Sequence, residues 1–572
     1  MTKNAQLAPL AIVGMSCRVP GGDDVDEFWE TLLAGRPAMG PVPAERLVGY
    51  DAEVAGEGGL TAALVSDVDT FDAGFFDVVG RMAVWMDPQQ RLLLETTWRA
   101  LESAGIAPSS LRGQEVGVFV GSSTSDFRDG MISTGVLDRY SLTGSIAAYL
   151  SNRVSNFFDL RGPSITVDTA CSSGLSALAL AASGLRAGDF DTAIVGGSNV
   201  YASGWLTGAL AHMGALSPTG TCRPFSDDAN GYVRGEGVLC FVVKRLDDAL
   251  EAGDPVLAII RGAAANHDGR AGGLVKTDSG SQARLLRRTL AQGDVDPASL
   301  GYLEAHAPGT KLDVEELNGL RELVREHAAG PVRFAGPGER LWIGTVKAVI
   351  GHLEGAAGTA SLAKAVLVLG NGAIPTGAGI LGMDGDLEIH DQPAEVAQGS
   401  VPWEPGDAPR RLGVSSFGIG GSNAHVVLEE PPAADSPDGS WGGTSMVFPI
   451  SGTDDDALRR VAARLAEFVA GPTAPEPTAT AWTLQTGRDH LTARAVVRAS
   501  TNEELRAGLV LIAEGVDAPE ETDPRVREWL GGGEIDWSKL WHHPPRRRVR
   551  LPGYPFLRTP YGIAPKTRKV AR

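Results

Sequence analysis

The run VDTACSSGLSALALAAS (167–183) places Cys171 at the joint between two hydrophobic patterns. The β-branched residues of SITVDTA before it predict a strand, and the small apolar residues of LSALALAAS after it predict a helix. A sulfur at such a joint faces the first N–H groups and positive dipole end of the helix, which stabilise thiolate and lower the thiol pKa. A free cysteine is more often a small buried hydrophobe, and Cys17, Cys222 and Cys240 are read that way. Nucleophilic sulfur chemistry also needs groups that handle protons and developing charge. GYLEAHAPGT puts His306 at the end of a predicted strand, and GTVKAVIGHLEGAAG puts Lys347 and His352 just ahead of a glycine-rich helix start. Other histidines, His212, His267 and His490 among them, lack such a setting and are read as packing or surface residues.

The elements that must hold these residues alternate along 9–430. Short β-rich runs (LAIVGMS, EVGVFVGSS, TAIVGGSNV, GVLCFVVKRL, VLAIIRGAA, LWIGTV, HVVLEE) are separated by helical stretches such as PQQRLLLETTWRALESAG. That alternation predicts a layered α/β fold. PPAADSPDGS (431–440) reads as a linker. Beyond it, DDALRRVAARLAEFVAG predicts an amphipathic helix, ARAVVRAS a strand, and TNEELRAGLVLIAEG a helix opened by a capping box. This makes a small α/β unit over 431–530. Residues 531–572, rich in aromatics and proline, read as an extended strap docking back on the larger unit. No internal duplication is visible in the residue pattern.

Bulk properties narrow the chemistry. The formal charge of −19 argues against nucleic acid as a partner. Four cysteines without CxxC spacing argue against a disulfide framework or a zinc site, so no metal is predicted. No apolar run of about 18 residues and no signal-peptide pattern occurs, which predicts a cytoplasmic protein with no membrane contact. The basic runs RRRVR (546–550) and KTRKVAR (566–572) stand out against the net charge. They read as a solvated tail or as a docking surface for an acidic carrier protein.

VDTACSS, EAH..GT, VK..IGH and SSFGIGGSNAHVVLEE occur in that order and resemble the β-ketoacyl synthase (ketosynthase) domains of modular type I polyketide synthases. AIVGMSCRVPGG, MDPQQRLLLETTWRALESAGI, NRVSNFFDLRGPS and GYVRGEGV extend the resemblance across 9–430, and AWTLQTGRDH and LPGYPFLRTPY are similar to the flanking linker domain and strap. The resemblance implies a thiolase-type fold of two similar α/β halves in five α-β-α-β-α layers, working as a homodimer. It implies that Cys171 takes an acyl chain from an acyl carrier protein, with the N–H groups of Cys171 and Phe417 as oxyanion hole. Neutral His306 and His352 then assist decarboxylation of a malonyl-type extender, and the carbanion attacks the acyl-Cys171 thioester. Lys347 and Glu354 match a charged pair that organises the histidine loop, while Thr310, Gly418 and Gly420 match substrate-binding positions. No cofactor is bound, since the carrier protein supplies phosphopantetheine.

The chain contains no GHSxG acyltransferase nucleophile, so a separate acyltransferase is implied, as in acyltransferase-less (trans-acyltransferase) assembly lines. Departures from the family pattern are HAPGT for HGTGT, DVEE for GDPIE and AVIGH for SNIGH around the two histidines, Lys276 where a small residue is usual, VGRMA (79–83) for SPREA, and RTPYGIAP at the end of the strap. They leave open non-elongating acyl transfer or a branching conjugate addition. A non-catalytic partner protein is the third reading, against which stands the retained Cys171.

Overall fold

The computed structural model describes residues 7–43, 46, 60–271, 273–327, 332–377, 394–432, 439–516 and 521–563. The first half contributes strands β1 (Leu10–Arg18), β2 (Val116–Gly121), β3 (Ser164–Val167), β4 (Thr192–Asn199) and β5 (Gly237–Arg245). The second contributes β6 (Ala258–His267), β7 (Leu300–Glu304), β8 (Leu341–Gly344), β9 (Ala394–Val396), β10 (Arg411–Phe417) and β11 (Ser422–Glu429). Hydrogen bonding orders them β9-β8-β7-β10-β11-β6-β1-β5-β4-β2-β3.

Setting aside the short β9, each half repeats one topology: three parallel strands, then two antiparallel ones, in the order third-second-fourth-fifth-first. The halves meet where β1 and β6 pair antiparallel, Leu10 opposite Ile260. The chain is therefore duplicated in topology although its residue pattern shows no repeat. Burial explains the silence. Every residue of β1, β2 and β4 is buried, and a strand covered on both faces needs only apolar residues in any order.

Helices α1 (Pro88–Ser103), α2 (Ser173–Ala187), α3 (Ser279–Gln292), α4 (Asp313–His327) and α5 (Ala357–Asn371) fill the layers. α1 packs outside the first half and α3 outside the second, whereas α2 and α5 lie between them and touch strands of both. This is the α-β-α-β-α order. The two interior helices approach closely through glycine: a Cβ on Gly174 would stand 2.9 Å from Thr359 Cγ2, and one on Gly358 2.8 Å from Leu175 Cγ. Lys364, the single charge in the apolar run of α5, is buried and pairs with Glu304 at 2.8 Å.

Beyond Glu429, β12 (Met446–Gly452) pairs with β13 (Ala493–Ala499), and α6 (Asp455–Val469) and α7 (Asn502–Ala513) pack on them. Their core is separate, built on Phe448, Leu465, Leu505, Leu509 and Trp529. The predicted cap is present in a shifted form: Glu504 N–H donates to Thr501 Oγ1, and Glu504 Oε2 accepts from Ser500 N–H, one residue ahead of the cap. Half-buried His490 accepts a hydrogen bond on Nδ1 from Trp529 Nε1, and loss of solvent pushes its pKa down to about 4. His490 is thus neutral when folded but protonates in the unfolded chain below its ordinary value of about 6.5. Between pH 7 and pH 5 the protein should lose about 2 kcal/mol relative to a His490→Phe variant, with no relative change above pH 7. Urea midpoints at the two pH values measure this, and parallel behaviour of both proteins would contradict it.

Residues 548–561 run back over the first half. Tyr554 N–H donates to Glu102, Leu557 N–H to Asp72, and Thr559–Pro560 pair with Thr70–Phe71. Tyr554 and Phe556 stack among Phe75 and Phe76. Within the RRRVR run, two of the four arginines are already engaged. Arg548 pairs with Asp254 at 3.2 Å and Arg550 with Asp26 at 2.5 Å, so acidic groups of the chain itself already take these cations. KTRKVAR and 433–438 of the linker lie outside the described residues.

Candidate active site

Cys171 sits between β3 and α2 on a turn made tight by Ala170, which takes φ +55°, a left-handed conformation costly for a residue with a Cβ. The two serines behind the cysteine hold that turn. Ser172 Oγ donates to Thr169 O at 2.9 Å, Ser173 Oγ donates to Ala170 O at 2.6 Å, and Thr169 N–H donates to Ser173 Oγ at 2.9 Å. From the second half, Ser416 Oγ donates to Cys171 O at 2.8 Å. Gly418 passes so close that a Cβ on it would lie 2.3 Å from Thr169 O.

The N–H groups directed at the sulfur are those of Ile419 and of Cys171 itself. The family resemblance put Phe417 in that role, and the structure moves it two residues on. Phe417 ends β10 and is still in register with Asn423, with its ring 5.8 Å from that of His306. At Gly418 the chain enters a turn closed by Gly418 N–H to Ser422 O and Gly421 N–H to Gly418 O, and this turn presents Ile419. Gly420 and Gly421 make it possible, at φ +120° and +90°. The expected lowering of the thiol pKa is also corrected. Burial, reinforced by Glu354, pushes Cys171 up to about 11, outweighing the Ile419 N–H and Lys347, which pull it down.

His306 follows β7 on a loop clamped by two carboxylates from the first turn of α4. His306 and Ala307 N–H groups donate to Glu316, each at 2.9 Å, and Gly309 and Thr310 N–H groups donate to Asp313 at 3.0 and 3.1 Å. Pro308 occupies the one position of the loop with no N–H to give, so the proline of HAPGT fits the clamp without loss. Glu316 and Asp313 were missed as supporting residues. Their signal was an acidic pair three apart at a helix start immediately after the histidine loop. In AVIGH, Ala348 and Val349 are 1% and 3% exposed and pack in the core, so this departure is a packing change.

His352 accepts Glu354 N–H on Nδ1 at 3.0 Å, which leaves Nε2 to carry the ring hydrogen. Its ring lies 5.4 Å from that of His306, and both line one cavity of about 300 Å3 with Cys171, Thr310, Gly418 and Gly420. Burial first, and then the Lys347 ammonium, hold both imidazoles well below the ordinary histidine pKa, so both are neutral. Lys347 and Glu354 do not pair. Glu354 is taken by Arg234 through both carboxylate oxygens, at 2.6 and 2.7 Å, because a guanidinium fork satisfies both where an ammonium cannot. Lys347 Nζ is buried without a hydrogen-bond partner among the described residues, and Glu304, Glu316 and Cys171 act on it through space. Lys276 stands exposed at the cavity mouth, with Leu312 and Ile419 beside it.

A Gly418→Ala variant should lower the rate of acyl capture by Cys171 about 100-fold, because its Cβ displaces the turn that carries Ile419 by a sizeable fraction of an ångström. Intact-protein mass spectrometry after mixing with an acyl carrier thioester reads this, and wild-type capture would refute it. Among the described residues no cluster of His, Cys, Asp and Glu could hold a metal ion, and no helix is long and apolar enough to cross a membrane.

Residues 8–249 match the β-ketoacyl synthase N-terminal domain, 257–380 its C-terminal domain, and 385–497 the ketoacyl-synthetase C-terminal extension. Erythronolide synthase EryA3 of Saccharopolyspora erythraea is 41% identical over 88% of this chain and 16% of its own length. Mycoketide-CoA synthase of Mycobacterium tuberculosis is 38% identical over 88% of this chain and 12% of its own. The chain thus spans about a quarter or less of the curated relatives it matches. Among solved structures, the oxazolomycin ketosynthase domain OzmH KS7 of Streptomyces albus superposes with a TM-score of 0.87 at 34% identity, covering 97% of this chain and 98% of that one. The ketosynthase from module 6 of the bacillaene synthase of Bacillus subtilis gives 0.86 at 30%, covering 97% and 100%.

Proposed function

The chain belongs to the β-ketoacyl synthase family of modular polyketide synthases and has its thiolase-type fold, and on that footing we propose that it elongates acyl chains held on Cys171. Cys171 attacks the thioester of an acyl carrier protein, and the carrier's phosphopantetheine thiol leaves. The N–H groups of Cys171 and Ile419 receive the oxyanion of the tetrahedral intermediate. A malonyl-type thioester on a carrier protein then loses CO2, and its carbonyl oxygen takes the developing enolate charge against His352 Nε2–H and His306. The enolate carbon attacks the acyl-Cys171 carbonyl, a C–C bond forms, and the sulfur leaves and is reprotonated.

One observation carries this reading: two neutral imidazoles and a sulfur touched by two backbone N–H groups share one cavity. Because AVIGH is core packing and HAPGT keeps its clamp, neither departure favours transfer without elongation. The protein's own residues supply no prosthetic group in this scheme. Its partners are acyl carrier proteins and the acyltransferase that charges them, in the cytoplasm. We assign 9–430 as the ketosynthase and 431–547 as the linker domain, since Trp537, Leu540 and Trp541 of the predicted strap belong to that domain's core, and the strap over the ketosynthase as beginning near Arg548. Homodimer formation is supported by the free edge of β3, where Ile165 is 43% exposed.

The test is to load the protein from an acyl carrier thioester, add malonyl carrier protein, and follow both by intact-protein mass spectrometry. Acylation, CO2 loss and a product two carbons longer are expected. Transfer without carbon gain, or no acylation by several donors, would overturn the proposal.

A further inference from the structure

Arg234 belongs to the two-residue strand Arg234–Gly235, laid against the segment that carries His352. His352 N–H donates to Val233 O at 2.7 Å, and Gly235 N–H donates to His352 O at 2.8 Å. The Arg234 side chain is 2% exposed. Besides its fork to Glu354, the guanidinium lies 4.0 Å from the centre of the Tyr201 ring and donates to Thr207 Oγ1. It is fixed on every side. Glu354 is fixed in turn, in an unusual way: its backbone takes φ +46°, a conformation that residues with a Cβ rarely adopt. Glu354 N–H donates to His352 Nδ1 at 3.0 Å, and this φ sets how the gripped side chain stands relative to that N–H.

We propose that Arg234 is a positioning residue for decarboxylation: by gripping the Glu354 carboxylate it holds the Glu354 backbone in its twisted form and so fixes His352 as the Nε2–H tautomer facing the cavity. This rests on the reading of His352 as a donor to the enolate oxygen. Both Glu354 oxygens accept from Arg234, and Glu354 is not among the residues that line the cavity, so its carboxylate takes no direct part in substrate contact. A buried ion pair is by itself a weak source of stability. Its geometry here accounts for something packing alone would not secure, namely which ring nitrogen carries the hydrogen. Acyl capture by Cys171 does not use that hydrogen and should be spared.

The test compares wild type with Arg234→Lys, Glu354→Gln and the double variant Arg234→Met/Glu354→Gln, which removes both charges together and so leaves neither one buried alone. Malonyl-carrier decarboxylation should fall about 10–100-fold in the double variant and less in Arg234→Lys, while acyl capture does not fall, since loss of the Glu354 charge removes one group that pushes the Cys171 thiol up. Solid-state 15N spectra of histidine-labelled protein, assigned with a His352→Asn variant, should show an unprotonated Nδ1 at His352 in wild type and a tautomer mixture in the double variant. A protonated Nδ1 in wild type overturns the proposal without recourse to any variant. So does a double variant with wild-type decarboxylation and an unchanged spectrum. Failure of wild type to acylate Cys171 would instead strike the functional reading, and the 15N result does not depend on it.

Discussion

Replacing Cys171 with alanine should abolish acyl capture from carrier thioesters, lowering the rate at least about 10,000-fold. No other thiol can stand in. Cys17, Cys222 and Cys240 are 0%, 2% and 1% exposed, inside the core. Ser172, adjacent in sequence, spends its hydroxyl on Thr169 O. The wild-type reaction should also carry a pH signature. With the thiol pushed up to about 11, the resting sulfur is protonated at neutral pH, and only its ionised form attacks. Single-turnover capture should therefore rise about tenfold per pH unit from pH 6 to pH 9. Mass spectrometry of rapidly quenched samples gives both answers. A rate already level by pH 7.5 would mean that the helix start and Ile419 N–H overcome burial, and capture in Cys171→Ala would remove the nucleophile assignment.

Decarboxylation should respond to the histidines and capture should not. Loss of one hydrogen-bond donor to a developing oxyanion costs about 100–1,000-fold in such sites. His306→Ala and His352→Ala should each lower CO2 release from malonyl carrier protein by that factor, while acylation of Cys171 stays within about tenfold. The double variant should fall short of the product of the two losses, because both rings serve one oxygen and removing the first disables the second. Their neutrality matters here. Burial and Lys347 keep both unprotonated, so a substrate carboxylate entering the cavity meets no imidazolium that would hold it and oppose CO2 departure. Radiolabelled CO2 release beside intact-mass acylation separates the half-reactions, and equal losses in both would contradict the division of roles.

Cys171, His306 and His352 were legible in the sequence because each sits at the end of an element that the residue pattern marks plainly. The α/β layering was legible for the same reason. The partners of these residues were not. Arg234 lies 120 residues from Glu354, and no local pattern announces a pair formed by the meeting of two halves. Lys347 and Glu354, seven apart on the sequence, were paired by the family resemblance, but Gly351 at φ +70° redirects the chain between them. The assignment of Phe417 rather than Ile419 failed by two residues, since the point at which β10 leaves its ladder is set by turn hydrogen bonds. The duplication was hidden because buried strands tolerate any apolar order.

The repeated topology has a consequence for how this chain could change over time. Cys171 follows the third strand of the first half, and Lys347 and His352 follow the third strand of the second. The nucleophile is thus inherited with one half and the two imidazoles with the other, while Ile419 and Arg234 each reach across to serve the opposite half. Between them lie residues 246–257, a short, partly exposed crossing between β5 and β6 that a recombination event could use as a breakpoint. A descendant could exchange one half for a variant only if the contacts that cross the seam came along on both sides: Ile419 at Cys171, Arg234 on Glu354, and the small residues where α2 meets α5.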